Sequence, residues 1–238
     1  RVFGKFGHLI GRVHKTFKRK IHVIRPFPIN EKNFAVYHAL DPHPRVPDHA
    51  LWMAIDRLGQ KYICAELVSR GTMNDLYLRI LDIETRNKFR IEGRIIDPSA
   101  YIDDQHNEEA SVGSRLRNLG LNYTKGSKDL QAGIKRLDDA LEYQQRGEEW
   151  IQKPEIFIFA ACPVTIKQLE EYVWDEWRGR SADEKQPKGK PRDKDDHQVE
   201  NLHRLLMHES QYIPIEFRQD FFAQGDFDYH AEVTDPFW

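Results

Sequence analysis

A short apolar run in this chain ends in an aspartate and is stopped at once by prolines: Ala35-Val36-Tyr37-His38-Ala39-Leu40-Asp41-Pro42-His43-Pro44. This pattern predicts a strand with its carboxylate at the C-terminal end. Open α/β sheets bind their ligands at that edge. Two further segments carry aspartates at comparable points, Arg94-Ile95-Ile96-Asp97-Pro98 and Lys194-Asp195-Asp196-His197. One aspartate before a proline is most often a turn or cap residue, but three acidic positions in this order indicate a functional edge.

The composition is that of one large domain, or of one domain with extensions. The 238 residues are 39% hydrophobic and 31% charged with a net charge of −2, so any basic nucleic-acid surface has to be local. No run of about 18 apolar residues and no signal-peptide pattern occurs, so we expect no membrane contact. The two cysteines, Cys64 and Cys162, lie in apolar strand-like runs, which indicates buried free thiols. The chain has no CxxC or HExxH pattern, which argues against a zinc site.

Apolar periodicity predicts five strands and five helices. The strands are expected at residues 35–41, 50–55, 61–68, 89–97 and 155–160. The helices are expected at residues 72–88, 111–119, 128–143 and 164–174, with a last one starting near Asp195. The strand ending in Asp97 follows a helix, so it should run parallel to the strand ending in Asp41 through a right-handed crossover. The expected fold is α/β and RNase H-like, with a central mixed five-stranded sheet flanked by helices.

The chain divides into three parts around this sheet. Residues 1–34 lack strong periodicity and are expected to form a lead-in or linker segment that packs on the main domain, residues 35–208. Within that domain, residues 177–194 combine Lys and Arg with Gly and Pro, which predicts a mobile basic loop. The alternative for this loop is a solvated, tolerated insertion. Residues 209–238 are an acidic and aromatic C-terminal tail, which could dock on the core.

Converging aspartates suit hard divalent cations, because Mg²⁺ and Mn²⁺ prefer carboxylate and water oxygens. Two such ions about 4 Å apart can hold an in-line phosphodiester displacement. In that arrangement Asp41 would bridge the ions, Asp97 would bind one of them, and Asp195 or Asp196 would bind the other. For Asp195 and Asp196 the commoner interpretation is a helix N-cap. His197 is a candidate proton-transfer group beside the metals, although a surface histidine is the commoner interpretation.

The order and spacing of several weak motifs resemble one known family, the C-terminal nuclease domain of the large terminase subunit of tailed bacteriophages. The resemblance extends from about Gly11 to Met207. It rests on six segments: Gly11-Arg12-Val13-His14-Lys15-Thr16-Phe17, His22-Val23-Ile24-Arg25-Pro26-Phe27-Pro28-Ile29, the strand ending in Asp41-Pro42, Arg94-Ile95-Ile96-Asp97-Pro98, Glu170-Glu171-Tyr172-Val173-Trp174 and Lys194-Asp195-Asp196-His197. The sequence departs from the family at Glu200 and Asn201, where an Asp-Ala pair is frequent.

The resemblance implies an RNase H-like, Mg²⁺- or Mn²⁺-dependent endonuclease, with two ions, that cuts concatemeric viral DNA around genome packaging. It places the metal ligands at Asp41, Asp97 and the Asp195/Asp196 pair. It also implies double-stranded DNA, the terminase ATPase domain, the small terminase subunit and the portal as partners, and the host cell cytoplasm as the location. No GxxxxGK[ST] motif occurs, so translocation is not expected to be an activity of this chain.

The DNA contacts are expected from two groups of basic residues. One group lies on or before the helix at 128–143, and the other in the 177–194 loop. They are Lys125, Lys128, Lys135 and Arg136, and Lys188, Lys190 and Lys194. Phosphate contacts of this kind give little sequence specificity and a strong salt dependence. Two other functions stay open: a DNA-binding assembly module with negligible cleavage of its own, and another RNase H-like nuclease of the resolvase or transposase type.

Overall fold

The computed structural model describes residues 11–43, 45–102, 111–175, 190–192 and 196–214. The first half of the chain forms α1 (Arg19–His22), β1 (Val23–Ile24), β2 (Phe34–Asp41), β3 (Asp48–Asp56), β4 (Lys61–Ser69), α2 (Met73–Asn87), β5 (Ile91–Ile96) and a 3-10 turn (Pro98–Tyr101). The second half forms α3 (Val112–Asn118), β6 (Thr124–Lys125), α4 (Leu130–Leu141), β7 (Gln144–Arg146), β8 (Glu149–Gln152), β9 (Ile156–Phe159), α5 (Pro163–Glu171) and α6 (His197–Met207).

One mixed sheet organises these elements. Its strand order is β1-β9-β4-β3-β2-β5-β6, and a separate hairpin pairs β7 with β8. Strand β3 is antiparallel to both of its neighbours, whereas the other neighbouring strands run parallel. The five predicted strands are the five central ones, which confirms the α/β, mixed-sheet prediction. The sheet has seven strands, not five, because the two-residue strands β1 and β6 extend its edges and are too short to show a periodicity.

The centre of the sheet is buried on both faces. Seven of the eight residues of β2 and seven of the nine of β3 are buried, which explains why both read as nearly continuous apolar runs. Helix α6 packs over β2 and β3 and also contacts α4 and α5. On β2, Tyr37 and Asp41 alternate with His38, so they point to the opposite face. The hydroxyl of Tyr37 donates to the Gln211 carbonyl 2.9 Å away, just beyond α6.

Helix α2 begins at a capping box formed by Thr72 and Asp75. Thr72 Oγ1 accepts a hydrogen bond from the Asp75 amide (3.2 Å), and Asp75 Oδ2 accepts one from the Thr72 amide (2.8 Å). Such reciprocal bonds satisfy donors that a helix start otherwise leaves unpaired. Leu76, Ile80 and Glu84 are the buried residues of this helix, at intervals of four. The spacing that buries the apolar stripe therefore also carries the Glu84 carboxylate into the core.

The described part of the segment before β2, residues 11–33, packs on the main domain. Phe17 is 1% exposed, and Val23 and Ile24 pair with β9. The short helix α1 ends at His22, and β1 begins at the next residue, Val23. The ring of His22 bonds the Lys18 amide (3.0 Å) and the Leu141 carbonyl (2.9 Å), and these bonds favour the helical turn.

Several sequence predictions fall partly or wholly outside the described residues. Of the basic loop 177–194, the structure describes residues 190–192, where Pro191 forms a bridge with Trp174. Of the tail, it describes residues 209–214. Cys64 and Cys162 are buried free thiols, as predicted. Among the described residues, no helix is both long enough and apolar enough to span a membrane.

Candidate metal centre

Asp41 and Asp97 lie side by side at one edge of the sheet. Strands β2 and β5 are parallel neighbours with Leu40 opposite Ile96, and the Asp97 amide donates to the Leu40 carbonyl (3.1 Å). Each aspartate is 7% exposed. The crossover predicted from the sequence therefore brings the two carboxylates together, as expected for the carboxyl ends of parallel strands.

A third carboxylate joins them from the first turn of α6. Ligand oxygens of Asp41, Asp97 and Glu200 all lie within 4.8 Å of one another, and we call these three residues the acidic triad. Glu200 is not among the ligands that the sequence predicts. The helical periodicity of α6 is the sequence pattern that could have indicated Glu200. Positions 197, 200, 201 and 204 share one face of the helix, next to the buried stripe of Val199, Leu202 and Leu206.

Asp97 is the most heavily contacted member of the acidic triad. Its Oδ1 accepts hydrogen bonds from the amide (2.7 Å) and the hydroxyl of Ser99, and it lies 3.3 Å from Lys128 Nζ. Its Oδ2 accepts a hydrogen bond from Arg204 Nη2. Burial alone would raise the pKa of Asp97, but the bonds from Ser99 and the charges of Arg204 and Lys128 outweigh it and hold that pKa below its usual value. Asp97 is therefore a carboxylate at neutral pH.

Histidines surround the other side of Asp41. His197 Nδ1 lies 2.8 Å from Asp41 Oδ2, and the His197 ring centroid lies 4.8 Å from that of His49 and 5.7 Å from that of His43. The hydrogen bond to Asp41, partly opposed by burial, raises the pKa of His197, and the charges of Asp41, Asp196 and Glu200 add to the increase. The predicted proton-transfer candidate thus contacts the acidic triad directly.

Of the two aspartates predicted before α6, Asp196 is not among the three carboxylates of the triad. Asp196 is the residue before the helix and is 7% exposed, and its side chain makes no capping hydrogen bond. Its carbonyl accepts from the Glu200 amide at 2.9 Å. Asp195 lies outside the described residues. The carboxylate that α6 contributes is that of Glu200, one turn further along the helix than the predicted pair.

The predicted DNA-binding residues lie in different places. Lys125, on β6, is exposed, with Nζ 5.2 Å from the Tyr101 ring centroid, and Lys128 reaches Asp97, so both lie at the edge of the acidic triad. Lys135 is exposed on α4 and Lys190 is exposed near Pro191. Lys188 and Lys194 lie outside the described residues.

Arg136 lies at the opposite end of the sheet. Its Nη1 and Nη2 lie 2.8 Å and 2.5 Å from the two carboxylate oxygens of Glu155. Glu155 directly precedes β9, a strand that runs in the same direction as β2, so it marks the N-terminal edge of the sheet. Arg136 therefore pairs with Glu155 at the edge of the sheet opposite the triad.

A buried ion pair joins β5 to helix α2. Arg94, three residues before Asp97, donates from Nη1 and Nη2 to the two oxygens of Glu84 (2.7 and 2.6 Å). Trp52 Nε1 donates to the same carboxylate (3.0 Å). His38 stacks on Trp52 with 4.5 Å between centroids, and burial, together with the charge of Arg94, holds the pKa of His38 well below its usual value. The sequence does not predict this pair, because its partners come from separate elements.

Comparisons with known proteins identify the fold. Neither the known protein-family models nor the curated proteins include a match to this chain. Among solved structures, a large terminase from a thermophilic bacteriophage, solved in crystal form 3, aligns over 82% of this chain and 44% of its own, with 23% identity and a TM-score of 0.62. The large terminase nuclease domain of phage P22 aligns over 83% of this chain and 91% of its own, with 15% identity and a TM-score of 0.61.

A third structure carries a metal. The large terminase nuclease of thermophilic phage G20c, with bound magnesium, aligns over 84% of this chain and 98% of its own, with 11% identity and a TM-score of 0.52. This chain spans less than half the length of the first of these large terminases but nearly the whole of the two isolated nuclease domains. The expected RNase H-like architecture is confirmed: the chain has the fold of the large terminase nuclease domains.

Proposed function

We propose that this chain is a metal-dependent DNA endonuclease that cuts concatemeric viral DNA during genome packaging. The observation that carries the proposal is the acidic triad, three carboxylates within 4.8 Å at the C-terminal edge of a parallel strand pair. Three carboxylates this close repel one another unless cations intervene. An all-oxygen set of this kind fits Mg²⁺ or Mn²⁺ and argues against ions that favour sulfur or imidazole ligands.

Asp41, Asp97 and Glu200 would hold the metal, with room for two ions as in other phosphodiester-cleaving sites. When bound, such ions polarise the phosphodiester and generate a nucleophile from water at neutral pH. The protein's own groups fix the ligands. Ser99 orients Asp97 through two hydrogen bonds, and His197 orients Asp41 through one. His197 would also give a proton to the leaving oxygen, and its raised pKa supports this role.

DNA would approach over the edge that carries Lys125 and Lys128. Lys128 lies 3.3 Å from Asp97 Oδ1, and Lys125 pairs with Ile96, the residue before Asp97, so both side chains are near enough to pair with phosphates at this edge. Contacts to phosphates alone predict cleavage with little base preference and an affinity that falls steeply with salt. Lys135, Lys188, Lys190 and Lys194 would extend this surface along the backbone of the duplex.

The same proposal includes the remaining partners that the resemblance implies. The large terminase from the thermophilic bacteriophage is more than twice as long as the segment that aligns with this chain, since only 44% of it aligns. This length supports the proposal that the nuclease works beside a further domain. We propose that this further part is the ATPase motor, that the small terminase subunit and the portal are the other partners, and that the protein acts in the cytoplasm of the host cell.

Plasmid cleavage tests the proposed activity. The intact chain is incubated with supercoiled plasmid and Mn²⁺, Mg²⁺ or EDTA, beside Asp41→Ala and the control Asp82→Ala, an exposed aspartate of α2 that pairs with Arg86. We expect nicking and linearisation by the intact chain and the control only when metal is present, and none by Asp41→Ala. Equal cleavage by Asp41→Ala would contradict the proposal. Faster cleavage of junction DNA than of linear DNA would favour a resolvase-type nuclease.

A further inference from the structure

One arginine lies among the three carboxylates of the acidic triad. Arg204 Nη2 contacts Asp97 Oδ2 and lies 2.8 Å from Glu200 Oε2, while Nη1 lies 3.9 Å from Asp41 Oδ1. The side chain of Arg204 is 6% exposed. The guanidinium group therefore approaches every member of the triad, and it does so from the buried side.

The position of this guanidinium is specified by the fold. The aliphatic part of Arg204 lies against the backbone at Gly126, where a Cβ would come within 3.1 Å of both Cγ and Cδ. The same Cβ would lie 2.9 Å from Ile95 Cγ2, so glycine is the residue that leaves room for the arginine. At the other end, Nη1 donates to Asn201 Oδ1 at 3.3 Å. Packing fixes the stem of the arginine and hydrogen bonds fix its head.

Arg204 uses oxygens that a bound metal ion would need. Mg²⁺ binds carboxylate oxygens at about 2.1 Å, and Arg204 already donates to Asp97 Oδ2 and Glu200 Oε2. An arginine cannot lose its charge in a protein. A divalent ion and a guanidinium that share the same oxygens repel each other strongly in a buried site. The guanidinium therefore has to move away from part of the triad when an ion binds.

We propose that Arg204 is a resident cation, which offsets part of the negative charge of the acidic triad in the metal-free protein and competes with the divalent ion for the carboxylates. The inference rests on the proposed function, since it takes the acidic triad as the metal site. A cavity of about 290 Å³, lined in part by Lys128, Glu200, Arg204 and Met207, adjoins the triad and offers space for the displaced head group. Arg204 thereby sets the metal affinity of the site without being a ligand.

Calorimetric titration of Mn²⁺ into the metal-free full chain tests this role. The variant Arg204→Met removes the competing charge but keeps an apolar stem against Gly126. We expect its Mn²⁺ dissociation constant to be about tenfold lower than that of the unchanged chain, a change within the usual range of coupling between sites. Arg204→Lys keeps a cation and should bind Mn²⁺ between these two. The matched control is Arg86→Met, which removes an exposed cation of α2 paired with Asp82 and should leave the dissociation constant unchanged.

Thermal unfolding supplies an independent readout. Without metal, Arg204→Met leaves more of the triad's negative charge without a counter-charge, so the unfolding midpoint of the variant should fall below that of the unchanged chain, and Mn²⁺ should restore it. A variant that folds only with Mn²⁺ would support the inference, whereas one that stays unfolded with Mn²⁺ would overturn it. Mn²⁺ binding by Arg204→Met that is equal to or weaker than that of the unchanged chain would overturn the inference and leave the proposed function standing. Absence of Mn²⁺ binding in both proteins would remove the proposed function and this inference together.

Discussion

Two buried clusters in this protein combine arginine with carboxylates, and they differ in their balance of charge. In the first, Arg94 meets Glu84 through two parallel hydrogen bonds, so that one positive charge faces one negative charge. In the second, Arg204 faces Asp41, Asp97 and Glu200. The two clusters meet the same strand, β5, one at Arg94 and the other just past its end at Asp97.

The difference separates a structural ion pair from a site that needs a further cation. The Glu84 carboxylate is saturated by Arg94 and Trp52, and the neighbouring His38 is held neutral by burial. The acidic triad carries three negative charges, and Lys128 and His197 reach it from its more exposed side. A surplus of negative charge at the carboxyl edge of a parallel strand pair is the arrangement that a divalent ion stabilises.

The largest effect on stability is expected from breaking the balanced pair. Glu84→Gln leaves the Arg94 guanidinium buried without its counter-charge, which costs about 3–5 kcal/mol in comparable pairs. The free energy of unfolding, measured with urea, should fall by that amount, while Mn²⁺ affinity should stay close to that of the unchanged chain. A loss of less than about 1 kcal/mol would show that this pair behaves like a surface salt bridge.

A Glu→Gln substitution in the acidic triad should instead change metal binding and cleavage much more than stability. Glu200→Gln removes one of three like charges, so we expect stability to change little and Mn²⁺ affinity and DNA cleavage to fall more than about 100-fold, beyond the loss caused by groups that only orient metal ligands. Calorimetry and plasmid cleavage measure the two losses. Unchanged cleavage in Glu200→Gln, together with its loss in Asp196→Asn, would return the third ligand to the position that the sequence predicted.

The sequence predicts the two strand-end aspartates because their signals are local. Asp41-Pro42 and Asp97-Pro98 each end an apolar run, and the helix that follows β3 and β4 returns the chain so that β5 runs parallel to β2. The capping box at Thr72 is equally local. The start of α6 is predicted as well, but the face of a helix that meets the sheet edge is set by tertiary packing. The sequence alone therefore places the third carboxylate at Asp195 and Asp196, before the helix, and not at Glu200.

The buried arginines of the two clusters and their partners cannot be predicted from local sequence patterns. Arg94 and Glu84 are ten residues apart on a strand and a helix, and both types of side chain are usually exposed. Their burial depends on Trp52, from a third element. Arg204 looks like a basic residue in the last turn of a helix, which complements the helix dipole. Only the folded position of α6, which brings Arg204 to the residue just past the end of β5, reveals that its guanidinium meets Asp97.

Acid should destabilise the balanced cluster through His38. Burial lowers the pKa of His38 in the folded protein, and the unfolded value is about 6.5. The unfolded state therefore binds more protons, so the stability that neutral His38 contributes is present above about pH 6.5 and is lost as the pH falls further. The lowered pKa values of His22 and His203 act in the same direction. Urea unfolding at pH 7.5 and 5.5 should show lower stability at pH 5.5, and NMR should show no protonation of the folded His38 ring over that range.

The smallest effect is expected from the rim of the unbalanced cluster. The side chain of Lys128 is 56% exposed, and its ion pair with Asp97 contributes about 0–1 kcal/mol to stability. Lys128→Gln should therefore fold normally. Its DNA affinity should fall similarly for unrelated sequences, and the slope of log affinity against log salt should become shallower by about 1. An unchanged slope, measured by fluorescence anisotropy, would exclude a phosphate contact at Lys128.

Anomalous diffraction from crystals soaked in Mn²⁺ tests most directly the claim that the acidic triad is a metal site. The account predicts an anomalous peak bound by oxygens of Asp41, Asp97 and Glu200 at roughly 2.2 Å, close to the distances that hard divalent cations adopt, with the Arg204 head group turned away from it. Crystals of Glu84→Gln should show the same peak. A peak beside Asp196, or no peak while Arg204 still contacts Asp97 and Glu200, would contradict the account.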